Sequence, residues 1–356
     1  MFKVEYTLIF FQIFFNKIYM YLNMIYILER DFTMYVERYV HVMDSFEFEY
    51  GRILENVEVE YKTFGVPKYD EEGFLTNAVL FFSTFNGIYS FLRESHQYIM
   101  DNGNFIDEFY FIVVSPLGTP NSCSPSTTGL NYDFPRYTLR DVVNFQRQFL
   151  AEKFKIKRIL GLVGEGLGGY PVLTWACEFP DDMEFIFIVN SAAKVSGYRF
   201  IISKISENII DSTEDYYTDG YSVSKTKTMI ALNSLMFAHT SSKKIFNNLS
   251  NDQISAIFED FNDQCFFMDI YDFKFRNDCC MDFDVTDKLG NIKAKSLFVA
   301  TNDNYFQFEL DILPLKDLVP NSIVLKQEDT KEDYFFEDKD YAPIGKEVIA
   351  FLEQFK

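Results

Sequence analysis

The sequence predicts an α/β protein: a mostly parallel sheet with helices on both faces. Three observations carry this reading. Six short, almost uninterrupted apolar runs recur along the chain, at 77–82, 109–114, 158–163, 185–189, 296–300 and 322–326. A strand covered on both faces needs apolar residues at consecutive positions, so such runs mark the interior of a sheet. Helical spacing of apolar residues appears at 139–154, 168–178 and 342–355, and buried strands alternating with helices make parallel crossovers. The third observation is a glycine-rich stretch, Val163-Gly-Glu-Gly-Leu-Gly-Gly169, which leaves the third apolar run and opens a helix.

The remaining elements follow in order. Tyr6 to Leu28 is apolar with Lys17 as its single charge, and is long enough to cross a bilayer. Lys17 lies near its middle, where a charge costs roughly 2.5–3.5 kcal/mol on insertion scales. Neither flank carries a positive excess, and no small-residue cleavage site follows. Residues 1–33 therefore read as an apolar extension with three explanations: sequence upstream of a true start at Met34 or Met43, a membrane anchor, or a docked amphipathic helix. From Phe46 the pattern becomes regular. Phe46 to Tyr50 and Val57 to Tyr61 alternate apolar and acidic residues, the pattern of half-buried strands, with a turn expected near Gly51. Region 196–290 breaks the strand–helix alternation. It carries helical patterns at 199–210 and 225–238 around the acidic loop Asp211 to Asp215, and reads as a helical insertion in a core made of 46–195 and 291–356. No internal repeat of 20–50 residues is present.

Composition excludes some functions. Fifty-three Asp and Glu against 33 Lys and Arg give a net charge of −20, which disfavours a phosphate-binding surface and hence nucleic acid as a partner. With 48% hydrophobic residues the chain can bury a large core and is not disordered. Five Cys in 356 residues do not make a disulfide framework, so a reduced, cytoplasmic protein is expected. The adjacent Cys279 and Cys280 lack the spacing of a zinc site and read as packing residues. No metal and no cofactor is expected.

Gly164-Glu-Gly-Leu-Gly168 has the outline of a nucleophile elbow, G-x-S-x-G, in which a sharp turn lifts one side chain above the sheet edge at the mouth of a helix. Gly166 occupies the nucleophile position. A phosphate loop would need a following Lys-[Ser/Thr], which is absent. The same glycines also fit G-x-G-x-x-G. A dinucleotide site would further need an acidic residue about 20 positions on, at the end of the next strand, and that strand ends Val189-Asn-Ser191.

With these residues in view the chain resembles the homoserine O-acetyltransferases of the α/β-hydrolase superfamily, over most of its length from about Phe46. Phe134 to Gln146 is similar to the family's stretch leading into the helix before the elbow, and Trp175-Ala-Cys-Glu-Phe-Pro-Asp181 to the segment after the elbow helix. Asn77 to Gly87 resembles the strand that ends in the oxyanion loop. Leu289 to Phe306 resembles the late strand that leads to the triad acid. The resemblance implies an α/β-hydrolase fold with a helical lid, and acyl transfer from acyl-CoA to homoserine in methionine biosynthesis. Carried over residue by residue, the acid falls on Asp303, the histidine on Glu332 and the serine on Gly166, with the backbone N–H groups of Phe85 and Leu167 as oxyanion donors. Two of three triad members are thus replaced, and a pseudoenzyme is expected. The alternatives are an acyltransferase or hydrolase with altered chemistry in the same pocket, or a partner-binding scaffold. Glu165 lies one position before the apex, Cys177 lies about three turns into the helix, and His239 belongs to the insertion, so none is placed to replace the serine. The resemblance also implies a residual pocket for a small-molecule or acyl-CoA-type ligand, and a homodimer formed through the insertion.

Overall fold

A computed structural model of the chain describes residues 39–82, 105–218, 220, 222–239, 246–263, 268–300, 306–326 and 342–356. Eight strands form one sheet: β1 (Tyr39–Glu47), β2 (Ile53–Phe64), β3 (Ala78–Phe82), β4 (Tyr110–Val114), β5 (Ile159–Glu165), β6 (Met183–Val189), β7 (Lys295–Ala300) and β8 (Ser322–Lys326). Their order is β1-β2-β4-β3-β5-β6-β7-β8. β2 runs antiparallel to β4, and every pairing from β4 through β8 is parallel. All five residues of β3 are buried, as the apolar run requires.

Side-chain alternation divides these strands between two cores. Leu80, Ile112, Leu162, Ile186 and Phe298 enter one cluster, while Phe81, Val113, Val163, Phe187 and Leu297 enter another on the opposite face. The first face is covered by α1 (Leu139–Phe154) and α2 (Gly169–Glu178), which bring Val143, Phe145, Phe149, Tyr170 and Leu173 to it. α1 opens on a capping box between Thr138 and Asp141. Asp141 Oδ1 also accepts the Glu49 N–H at 2.8 Å, which ties the β1–β2 turn to the helix. Burial raises the Asp141 pKa against these hydrogen bonds.

Between β6 and β7 the described residues form mainly α3 (Gly197–Asp211), α4 (Val223–Phe237), α5 (Asn251–Asp263) and α6 (Ile270–Met281). They hold a third apolar cluster of their own, including Ile210, Met229, Leu232, Ile270 and Phe273. The two ends of this stretch are clasped together. Lys194 and Asp284 form an antiparallel bridge, the Val195 N–H donates to the Phe283 carbonyl at 2.8 Å, and the Val285 N–H donates to the Ala193 carbonyl at 2.9 Å. Arg199 on α3 donates to Asp311, beyond β7, at 2.6 Å in a largely buried ion pair. The second face of the sheet is closed by α7 (Ala342–Leu352), through Val348, Phe351 and Leu352.

Two boundaries differ from the sequence pattern for local reasons. β1 already includes Tyr39, seven residues before the apolar–acidic alternation; it lies at the sheet edge, where Val40 and Val42 stay exposed and leave no inward-pointing period. Asn77 lies outside β3. Its side chain accepts the Lys68 N–H and donates to the carbonyls of Val66 and Glu108, so it links three segments. No helix among the described residues is long and apolar enough to cross a membrane, and Tyr6 to Leu28 lies outside them.

Candidate active site

The glycine-rich stretch folds as a tight strand-to-helix bend. β5 ends at Glu165 in extended conformation, residues Gly166–Gly168 make one 3₁₀ turn, and α2 starts at Gly169. Gly166, at the apex, has φ +54°, a left-handed conformation that favours glycine. Gly164 is required by contact instead. A Cβ there would lie within 3 Å of backbone atoms of both Gly168 and Gly169, so strand and helix approach too closely for any side chain. These are the two demands of an elbow: a strained apex and a bare base.

The bend stands at the carboxyl ends of the parallel strands, the edge at which open α/β sheets bind ligands. Leu167 follows the apex. N–H groups in the first turn of a helical segment have no acceptor within it, so a turn here aims donors at the space above the edge. Gly166 and Leu167 are thus brought to one point. Phe85, Asp303 and Glu332 lie outside the described residues; β7, whose sequence leads toward Asp303, ends on the same edge at Ala300.

Neighbouring reactive groups are accounted for. Cys177 is buried in α2, and burial pushes its thiol up to about 12, which removes the thiolate needed of a nucleophile. His239, at the end of α4, has Nδ1 2.9 Å from the Tyr198 hydroxyl on α3, and burial lowers its pKa. It is engaged within the insertion. Glu165 is the last residue of β5 and precedes the apex by one position.

A cavity of about 20 Å³ lies where the insertion meets the bend, with Leu167 of the elbow turn and Arg276 of α6 both in its lining. Sequence reasoning passed over Arg276. Its only signal was a cation one turn after Asp272 in a helix with buried neighbours. Asp272 is buried, and its carboxylate accepts the Ser126 N–H at 2.8 Å and the Ser126 hydroxyl at 2.5 Å, joining α6 to the segment 125–128. Burial, and then the charge of Asp269, raise its pKa to about 6.

Comparison with known proteins agrees with this geometry. A probable acyltransferase of Methanothermobacter thermautotrophicus is 34% identical over 281 residues, covering 79% of this chain and 87% of that protein. The homoserine O-acetyltransferase of Haloferax volcanii is 29% identical over 206 residues, 52% of this chain and 48% of that protein, so the match spans about half its length. Among solved structures, an acetylester hydrolase from Corynebacterium glutamicum superposes with a TM-score of 0.73 at 21% identity, over 89% of this chain and 96% of that one. The homoserine O-acetyltransferase from Staphylococcus aureus superposes with a TM-score of 0.69 at 17% identity, over 89% and 95%. No family model matches the chain. A parallel sheet with an elbow at its edge, and a relative matched over most of both lengths, make this chain a member of the acyltransferase family that includes the homoserine O-acetyltransferases, built on the α/β-hydrolase fold.

Proposed function

We propose that this protein is a homoserine O-acetyltransferase-like protein that has lost acyl transfer and works by binding a small molecule in the residual pocket. The observation that supports this is the apex of the elbow, where a glycine with φ +54° stands in the nucleophile position. Acyl transfer through this site needs a hydroxyl to carry the acyl group. Losing a triad nucleophile costs on the order of a million-fold in turnover. The resemblance places Glu332 in the histidine position, and a carboxylate with a reference pKa of about 4.3 is a weak base at neutral pH. The backbone donors of an oxyanion hole are independent of side chains, so an anion-binding pocket persists without the chemistry. The free thiols of Cys123, Cys177, Cys279 and Cys280 support a reducing, cytoplasmic setting.

The test is an assay of the purified full-length chain with acetyl-CoA or succinyl-CoA and homoserine, following release of free CoA. No rate above the uncatalysed reaction is expected. A rate proportional to protein concentration, and lost when Glu165, Asp303 and Glu332 are changed to Ala, would establish altered chemistry instead.

A scaffold role through a second copy of the chain is also supported. Tyr198, Ile201 and Ile205 leave an exposed apolar stripe along α3, and α4 beside it carries no Asp or Glu in a chain of net charge −20. Two copies meeting through this face would avoid the repulsion that the rest of the surface imposes.

A further inference from the structure

The cavity beside the elbow is too small for a ligand as it stands. At about 20 Å³ it exceeds the roughly 10–15 Å³ of one water by little, so an organic molecule needs one of its walls to move. Three of the walls are tied down. Leu167 belongs to the elbow turn. Ile202 and Ser206 belong to α3, whose Arg199 donates to Asp311 at 2.6 Å and to the Lys194 carbonyl at 2.9 Å. Arg276 and Cys280 belong to α6, which Asp272 ties to Ser126 and Asn277 ties to the Ser203 carbonyl of α3 at 3.1 Å. Arg276 is itself engaged, with Tyr137 and Asp272 among the groups that act on its charge.

The fourth wall is Met236, in the last turn of α4. The earlier turns of α4 are buried on their neighbours through Met229 and Leu232. Its end is held differently. Phe237 packs its ring on Phe258 and Phe261 of α5, Asn233 donates to the Phe261 carbonyl at 2.5 Å, and the Ser234 hydroxyl donates to Asn262 at 3.2 Å. The end of α4 and α5 thus make one unit. Among the described residues a single side-chain hydrogen bond joins that unit to α3, between the Tyr198 hydroxyl and Nδ1 of His239 at 2.9 Å. Tyr198 is 47% exposed, so water competes for its hydroxyl and the bond is easily given up.

We propose that the end of α4, with α5 behind it, is a gate over the pocket, closed in this structure and latched by Tyr198 on His239. Opening carries Met236 away from the cavity and makes room for a ligand. Segments that move for ligands are drawn from the least stable part of a fold, and the end of α4 is the least tied of the four walls. The inference rests on the reading that the space beside the elbow takes a small molecule, and it holds whether that molecule binds or reacts.

Cys280 lines the cavity at 7% exposure and reports the opening. The full chain is treated with iodoacetamide under native conditions, and fragment-ion mass spectrometry assigns the label to Cys280 rather than Cys279. Cys123 and Cys177, buried in the main core, report global unfolding. Cys280 should react faster than either. Tyr198→Phe and His239→Ala should each speed its labelling about three- to tenfold, as expected for one lost hydrogen bond. The double variant should gain no more than the larger single effect, because both changes remove the same bond. Cys123 and Cys177 should keep their rates. Reaction of Cys280 no faster than that of Cys177 in the wild type would overturn the gate. Unchanged Cys280 rates in both variants, additive effects, or equal acceleration of Cys123 and Cys177 would overturn the latch. Turnover in the acyl-transfer assay with gated labelling intact would overturn the non-catalytic reading alone. Absence of turnover with Cys280 labelled only on global unfolding would overturn the gate alone.

Discussion

A Cβ on Gly164 would stand 2.5 Å from the carbonyl oxygen of Gly168, on the other side of the bend. The obstacle is backbone, which cannot rotate away as the end of a side chain can. Gly164→Ala is therefore expected to destabilise the fold by about 1–3 kcal/mol, the range of overpacking in a tight core. Urea unfolding measures it; an unchanged midpoint would show that strand and helix are further apart.

Gly166→Ser tests the apex from the other direction. A side chain at φ +54° costs about 1–2 kcal/mol, since the left-handed region crowds Cβ against the backbone. The variant should melt below the wild type, although it places at the apex a hydroxyl of the kind that acyl transfer needs. A higher melting temperature would contradict the elbow geometry.

Asp272 gives stability a defined pH dependence. Its pKa is raised from 3.8 to about 6 in the folded protein. The unfolded chain thus gives up the proton more readily, so the contribution is favourable below about pH 4 and is lost as pH rises through 6. At about 1.4 kcal/mol per pKa unit, the wild type should lose about 3 kcal/mol relative to Asp272→Asn between pH 4 and 7.5. Unfolding free energies of the two proteins across that range decide it, and a constant difference would place Asp272 in solvent.

Trp175, the chain's single tryptophan, donates its indole N–H to Asp182 at 2.9 Å, and Arg147 donates to the same oxygen at 2.8 Å. Asp182→Ala leaves the buried indole N–H without this acceptor and should cost about 1–3 kcal/mol. Tryptophan fluorescence follows the transition with no competing fluorophore of its kind. Unchanged stability would mean that another acceptor takes over.

The exposed stripe on α3 predicts a concentration-dependent dimer. Light scattering after size exclusion should give twice the chain mass for the wild type and the single-chain mass for Ile201→Lys with Ile205→Lys. These side chains are 52% and 38% exposed, so the substitutions should leave the fold intact. A monomeric wild type would remove the scaffold reading.

Much of the sheet was legible in the sequence because its strands are buried on both faces, which leaves runs such as Phe81-Phe82 and Phe185 to Val189 that no solvent-facing element would tolerate. The elbow was legible because its geometry leaves glycine few substitutes at 164 and 166. Edge and insertion elements were harder to read. The outer half of β1 exposes Val40 and Val42, so its apolar residues carry no period that points inward. α5 and α6 were not singled out, because α6 mixes Asp272, Lys274, Arg276 and Asp278 among its apolar residues and buries Asp272 with them. The pocket at Arg276 is a tertiary feature: it exists only where α6, α3 and the elbow turn converge, and no local pattern encodes that meeting.

The clasp at Ala193–Val195 and Phe283–Val285 has an evolutionary consequence. Because departure and return of the chain are one hydrogen bond apart, the helices between them form a cassette. Such a cassette can be shortened, enlarged or exchanged without re-threading a single strand, since the loop is already closed at its neck. Ligand preference can therefore drift in the cassette while the sheet beneath stays as it was, and the chain keeps a ready means of acquiring a new guest.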